Sequence, residues 1–361
     1  MVLSRLVWCR WPPRCPGRWP LDDEYRGQGV PLSGDALVGV PPLYSPCMFR
    51  ALPLPCKMAP QLQREFEALC ALSAQYAAGA SSRAGHLPQN ACKNRYCNII
   101  PFDRTRVRLS GGTDDDIANY TNASYVAGYS GSTEYIASQG PKEGTTKDFW
   151  FMVYEQNVRL IIMLTKLVED GKTKCHQYYP ELGDRYMWGD LAVECSVQND
   201  LPTYTLRTLA MHKGSEQRLV HHLHFLDWPD FGCPASSVHV LQFCRTVRRH
   251  ALLFPGLMVV HCSAGVGRTG TLIAVDILLQ RLKAKKKIDI FGVVMKLREQ
   301  RPFMVQCQQQ YIFIYKCLKA AFDDPNVTTY KASCTFPVNA NMHLQNGLQM
   351  VKKSILSSWK K

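Results

Sequence analysis

Between about residues 93 and 322 the hydrophobic and polar positions follow two rhythms. Strand-like runs rich in apolar residues fall at 123–129, 135–138, 160–164, 191–197, 204–211, 219–225 and 257–261. Runs with helical spacing fall at 147–156, 236–253, 270–282, 290–298 and 308–322. The mixed order and the hairpin-length gaps predict one α/β domain. Its sheet should be mixed and highly twisted, flanked by helices, and unlike a doubly wound parallel sheet. Upstream, Leu62, Phe66, Leu69 and Leu72 recur at helical spacing across 61–76, which predicts a helix able to dock on that domain. Small residues between 79 and 90 read as a linker. Residues 1–57 are rich in Pro, Gly, Arg and Trp without either period, and read as a poorly ordered extension. The expected division is an extension over 1–57, a helical lead-in and linker over 58–92, the domain over 93–322 and a tail over 323–361. A short helix is expected in the tail near 344–359.

Composition narrows the class of protein. At 361 residues the chain can bury a large core, and 46% hydrophobic with 20% charged residues is ordinary for a globular protein. No run of about 20 apolar residues is present, so no membrane span is expected. The 15 cysteines show neither regular pairing nor repeated metal-ligand spacing. Residues 1–20 lack an adequate apolar core for a secretory signal, so the cysteines read as reduced thiols of a cytoplasmic protein. A formal charge of +14 is compatible with a nucleic-acid partner, but no recognition motif accompanies it. The same positive field would speed capture of anionic protein segments. The basic run at 283–287 follows a predicted helix end, where the dipole favours cations, and reads as a solvated face.

One string carries most of the candidate chemistry: His261-Cys262-Ser263-Ala264-Gly265-Val266-Gly267-Arg268-Thr269-Gly270. An apolar run leads in and a helical run leads out, which reads as strand, tight loop, helix. Glycines at 265 and 267 allow successive backbone N–H groups to turn inward as an anion nest, and the helix N-terminus adds its positive end. Arg268 supplies a fork of donors matched to phosphate oxygens. A thiol at the base of such a nest should ionise readily and act as a nucleophile.

This string resembles the signature loop of the tyrosine-specific protein tyrosine phosphatases. The resemblance implies a phosphocysteine mechanism, with Cys262 as nucleophile and Arg268 as phosphate clamp. Ser263, Ala264, Gly265, Val266 and Gly267 would form the nest, and the Thr269 hydroxyl would aid departure of the thiolate. His261 would support the loop from behind. Phenoxide is a poor leaving group, so an acid is also needed. The segment His224-Phe225-Leu226-Asp227-Trp228-Pro229-Asp230-Phe231-Gly232 resembles the family's mobile acid loop. There Asp230 matches the general acid and Trp228 an anchor, while Asp227 is a second carboxylate in the same loop.

Three further loops match in collinear order. Lys93 to Asp103 resembles the phosphotyrosine recognition loop, with Tyr96 as the aromatic wall that sets pocket depth. Asn98 stands where many members have Asp for the substrate backbone. Glu169 to Pro180 resembles the glutamate loop: Glu169 would orient Arg268, and Lys174 would contact the acid loop. Gln306-Cys307-Gln308-Gln309-Gln310 resembles the glutamine loop, whose amides at 306 and 310 place the hydrolytic water. Cys307 and Gln309 depart from the usual Thr and Asp. The segments at 128–129 and 148–150 look most like receptor-type members with a single catalytic domain, which leaves room for the chain to be the cytosolic part of a membrane receptor. No metal or organic cofactor is implied, and the expected partners are phosphotyrosyl proteins. Two rivals remain. A phosphotyrosine-binding pseudophosphatase is kept open by Asn98, Cys307 and Gln309. A dual-specificity or lipid phosphatase is opposed by Tyr96 and the domain's length.

Overall fold

A computed structural model describes residues 55, 57–110, 116–229 and 232–324. Its frame is a nine-stranded sheet in the order β1-β2-β3-β11-β4-β10-β9-β8-β7. The strands are β1 (Arg106–Arg108), β2 (Tyr120–Ala127), β3 (Thr133–Ser138), β4 (Leu160–Met163), β7 (Arg185–Trp188), β8 (Leu191–Asp200), β9 (Tyr204–Lys213), β10 (Glu216–Phe225) and β11 (Met258–His261). A two-stranded hairpin, β5 (Val168–Glu169) with β6 (Lys172–Thr173), stands apart from it. The four central strands β3, β11, β4 and β10 run parallel, and the flanking pairs are antiparallel. This is the mixed sheet expected from the sequence.

Burial explains the parallel centre. All four residues of β4 and all four of β11 are buried, as strands covered on both faces require. Their side chains alternate between two cores. Leu160, Ile162, Met258 and Val260 join a core built with four helices: α5 (Ser237–Leu253), α6 (Gly267–Lys283), α7 (Ile290–Gln300) and α8 (Gln308–Asp323). Ile161, Met163 and Val259 face the other way, against Phe149, Trp150, Met152 and Val153 of α4 (Thr146–Glu155). Side-chain caps set two helix starts. Ser236 accepts from the Val238 N–H, and Asp289 accepts from the Gly292 N–H.

The expected lead-in helix is α1 (Ala59–Ala78). Its Leu62 and Leu69 are fully buried in the helical core. The linker that follows holds two one-turn helices, α2 (Arg83–His86) and α3 (Pro88–Ala91). The expected strand at 123–129 instead starts at Tyr120 and stops at Ala127, because residues 128–132 form the hairpin turn. The helix expected from 270 begins three residues earlier, at Gly267. Residues 1–54 and the expected helix at 344–359 lie outside the described residues. Among those described, no helix is long and apolar enough to cross a membrane.

Parallel order gathers the candidate loops. The carboxyl ends of β3, β11, β4 and β10 lie side by side, with His261 opposite Ser138 and Met163, and Met163 opposite His224. Segments 139–141, 262–266, 164–169 and 226–229 therefore leave the sheet at one rim, where open α/β sheets place their ligands.

Candidate active site

The loop between β11 and α6 is held from outside by its carbonyls. The Ser263 carbonyl accepts from the Gly140 N–H at 2.9 Å. The Ala264 and Gly265 carbonyls accept from the Arg301 guanidinium at 3.1 and 2.9 Å. The Val266 carbonyl accepts from the N–H groups of Gly270 and Val305 at 2.9 and 3.1 Å. A peptide's C=O and N–H point in opposite directions, so four carbonyls anchored outward turn the intervening N–H groups to the inner side, making a nest. The Gly265 N–H reaches the Cys262 sulfur at 3.2 Å. Gly265 has φ of +71°, and a Cβ there would lie 2.1 Å from the Ser138 carbonyl oxygen, so both conformation and space demand glycine.

Arg301 was not singled out by sequence reasoning. It is fully buried, and it also donates to the Asn122 side-chain oxygen at 2.7 Å and the Ser124 hydroxyl at 3.3 Å. Burial lowers its pKa to about 10, so it remains a cation at neutral pH behind the Cys262 loop. It therefore supplies both loop geometry and positive charge.

Arg268 lies at the first turn of α6. Its two terminal nitrogens donate to the two oxygens of Glu169 at 2.6 and 2.8 Å, a bidentate pair. Glu169 is buried and also accepts from the Lys166 N–H at 3.1 Å and the Thr165 hydroxyl at 3.0 Å. Arg268 further donates to the carbonyls of Leu164 and Pro229, at 3.0 and 3.1 Å. It thus ties the glutamate loop to the acid loop at the residue just before Asp230. Asp230 and Phe231 lie outside the described residues. Trp228 is buried between Phe225 and Phe313 and donates to the Gly232 carbonyl at 3.3 Å, pinning both ends of that loop. Asp227, the second carboxylate of the loop, is paired with His239 at 2.6 Å and so has a partner on α5.

The recognition loop meets the nest directly. The Tyr96 and Ser263 hydroxyls are 2.8 Å apart, and the Ser263 hydroxyl donates to the Lys174 carbonyl at 2.8 Å. Lys174 therefore meets the nest through its backbone. Asn98 is exposed two residues along. On the opposite side, the Gln310 amide oxygen accepts from the Gln306 N–H at 2.9 Å. Both glutamine side chains press on the start of α6: a Cβ at Gly267 would be 2.9 Å from the Gln310 amide nitrogen and 3.2 Å from the Gln306 amide oxygen. Cys307 caps α8 with its carbonyl, which accepts from the N–H groups of Gln310 and Tyr311 at 3.1 and 3.2 Å. That bond needs no hydroxyl, so cysteine serves there. Gln309 is exposed. The Thr269 hydroxyl is buried with no hydrogen-bond partner among the described residues.

Behind the loop, the His261 Nε2 and the His222 Nε2 both meet the Tyr178 hydroxyl, at 2.7 and 2.8 Å. Burial lowers His261 and His221 to about 3 and His224 to about 4. An unfolded histidine takes up its proton near 6.5, whereas these do not until far lower pH. Their stabilising effect is thus complete above about pH 6.5 and lost progressively as pH falls toward 3–4. Urea denaturation at about pH 5.5 should therefore show a lower midpoint than at about pH 7.5, with the unfolding free energy smaller by about 1.4 kcal/mol for each histidine kept neutral. An unchanged midpoint would contradict this burial effect.

The ten cysteines among the described residues are all free thiols. Burial pushes Cys175 and Cys233 up to about 12, which keeps both protonated and weakly reactive at neutral pH. The Cys262 sulfur accepts from the Gly265 N–H at 3.2 Å, inside the loop between β11 and α6.

Comparison with known proteins agrees with this geometry. A family model described as protein-tyrosine phosphatase matches residues 90–320. The chain belongs to the protein-tyrosine phosphatase family. It is 40% identical over 262 residues to human receptor-type tyrosine-protein phosphatase alpha, covering 71% of this chain and 32% of that protein. It is 44% identical over 234 residues to rat receptor-type tyrosine-protein phosphatase F, covering 64% of this chain and 12% of that one. The chain thus spans about a third or less of the curated relatives' length. The crystal structure of the catalytic domain of human protein tyrosine phosphatase non-receptor type 18 superposes with a TM-score of 0.68 at 36% identity. It covers 72% of this chain and 96% of that one.

Proposed function

We propose that this chain hydrolyses phosphotyrosine in proteins through a phosphocysteine intermediate. What chiefly supports the reading is the outward anchoring of four consecutive carbonyls, 263–266, beside an arginine clamped by a buried glutamate. Such a loop presents N–H groups and a guanidinium fork to a phosphate dianion lying over one thiol. Cys262 attacks phosphorus, the nest and Arg268 hold the equatorial oxygens, and Asp230 protonates the departing tyrosyl oxygen. Asp230 then takes the proton of a water placed by Gln306 and Gln310, and the Thr269 hydroxyl aids release of the thiolate. Tyr96 walls the slot, Asn98 meets the substrate backbone, and Glu169, Lys174, Trp228 and His261 support these groups. No metal or organic cofactor enters the scheme. The receptor-type relatives support a place in the cytoplasm or, as part of a longer receptor, on the cytosolic face of a membrane.

A slot walled by Tyr96 lets phosphotyrosine reach Cys262 and leaves phosphoserine short. Matched phosphotyrosyl and phosphoseryl peptides should therefore differ in kcat/KM by about 10²-fold or more, the cost of a missed near-attack geometry. Equal turnover would favour a dual-specificity enzyme, and binding without turnover a pseudophosphatase.

We also assign the catalytic domain to 93–322, with 58–92 as its helical lead-in and linker, and treat 1–57 as dispensable. Deleting 1–57 should leave most of the kcat/KM of the full chain, since that segment carries no core-forming apolar period. Deletion through Tyr96 should abolish activity. A large loss from the shorter cut would show that the extension supports the domain.

A further inference from the structure

Helix α1 meets one residue that reaches both it and the catalytic loop. Arg298, near the end of α7, is 4% exposed. Its Nε donates to the Met304 carbonyl at 2.9 Å and one terminal nitrogen donates to the Val305 carbonyl at 2.8 Å. The other terminal nitrogen donates to the Ser73 hydroxyl at 3.0 Å and meets the Cys70 sulfur at 3.4 Å, and the guanidinium lies 5.2 Å from the Phe66 ring centre. Phe66, Cys70 and Ser73 share one face of α1 by their i, i+4, i+7 spacing. Deeper on the same helix, Glu65 accepts from the Tyr311 and Tyr315 hydroxyls of α8 at 3.0 and 2.8 Å.

The carbonyls that Arg298 grips belong to strained backbone. Phe303 and Val305 have φ of +62° and +60°, where residues other than glycine rarely sit. Such conformations persist only where their surroundings over-determine them, and they collect at functional sites. Here the strain has a geometric use. It turns the Val305 N–H onto the Val266 carbonyl of the nest and delivers the chain to Gln306. The Val305 backbone also lies against α6, since a Cβ at Gly270 would come within 2.5 Å of its nitrogen.

We propose that Arg298, held by α1, is a positioning residue for the second chemical step. In that step water oxygen bonds to phosphorus, the S–P bond of phosphocysteine breaks, the pair returns to Cys262 as thiolate, and the water proton passes to Asp230. This rests on the reading of Gln306 and Gln310 as the amides that place the water. Loosening the Arg298 grip shifts Gln306, while the Val266 carbonyl keeps its second donor, the Gly270 N–H at 2.9 Å, so the nest that receives phosphotyrosine at Cys262 holds. The lead-in helix is thereby a working part of the hydrolytic site.

Two-step kinetics separate this role from simple support of the fold. A slower second step lowers kcat and KM by the same factor, leaves kcat/KM unchanged, and produces a burst of phenol near one per enzyme. In the full-length chain, Arg298→Met should lower kcat and KM together by about 10- to 100-fold, the cost of a misplaced reactant. Ser73→Ala, which removes one bond to the guanidinium and is safe for folding, should give a smaller fall with the same signature. Gln306→Ala is the reference. A fall in kcat/KM equal to that in kcat, without a burst, in Ser73→Ala and Arg298→Met would overturn the inference if Gln306→Ala shows the split. If Gln306→Ala lacks the split, the water-placing reading fails and the inference falls with it. Should Arg298→Met fail to fold, Ser73→Ala alone decides: unchanged kcat and KM would overturn the inference.

Discussion

Cys262→Ser should abolish turnover of phosphotyrosyl peptide while binding of the same peptide persists. The hydroxyl is a far weaker nucleophile at neutral pH, and removal of a nucleophile from a covalent hydrolase costs on the order of 10⁴–10⁶ in kcat. Binding depends on other groups. The carbonyl anchors at Gly140, Arg301, Gly270 and Val305 do not involve the Cys262 side chain, and the Arg268–Glu169 pair is likewise independent of it. Calorimetry should show that the variant still binds phosphotyrosyl peptide. Loss of binding together with turnover would mean that the sulfur organises the nest.

Asp230→Ala should lower kcat by roughly 10²–10⁴-fold, the usual contribution of general acid catalysis. The variant keeps Cys262, Arg268 and the nest and loses one negative charge near the substrate dianion, so affinity should hold or rise. The pH profile should change in a specific way. The limb that requires a protonated acid disappears, and the limb that follows nucleophile and substrate ionisation stays. Asp227→Ala is the internal control, because Asp227 is already engaged with His239. Should Asp227→Ala cause the larger loss while Asp230→Ala keeps the basic limb, the acid is Asp227.

Residue pattern alone reveals much of this site, for a physical reason. An anion nest needs small residues in an unbroken string, and a phosphate clamp needs an arginine at the first turn that follows, so both appear as contiguous text from 262 to 268. The acid and glutamine loops are also short local strings. The parts that escape notice are those made by distant residues. A buried arginine is written the same way as a surface one. Arg301 is defined by the Gly265 carbonyl 36 positions away and by Asn122, 179 positions away. Tyr178 lies in the glutamate-loop string, yet its link to His222 and His261 arises only when β10 and β11 come together on either side of β4. The same holds for Arg298, whose α1 partners lie 225 and 228 positions upstream.

The fold divides along a similar line. Unbroken apolar runs at 160–164 and 257–260 mark the central strands because burial on both faces leaves little room for polar positions. The edge strands β1 and β7 are three and four residues long, with charged or partly exposed positions, and fall below any pattern of alternation. Only pairing to β2 and β8 makes them strands. The early start of α6 at Gly267 has the same origin: the nest and the helix share residues, and glycine obscures the helical period.

Rapid acid quench of the full-length chain during turnover of phosphotyrosyl peptide, followed by peptide mass spectrometry, tests the phosphocysteine mechanism most directly. Gln306→Ala should raise the yield, since the proposed role of Gln306 is to place the water that breaks the intermediate down. Phosphate should appear on the peptide carrying Cys262, as a thiophosphate ester that grows in with the phenol burst and is absent from Cys262→Ser. Phosphate on another residue, or a phenol burst with no phosphorylated Cys262, would contradict the mechanism.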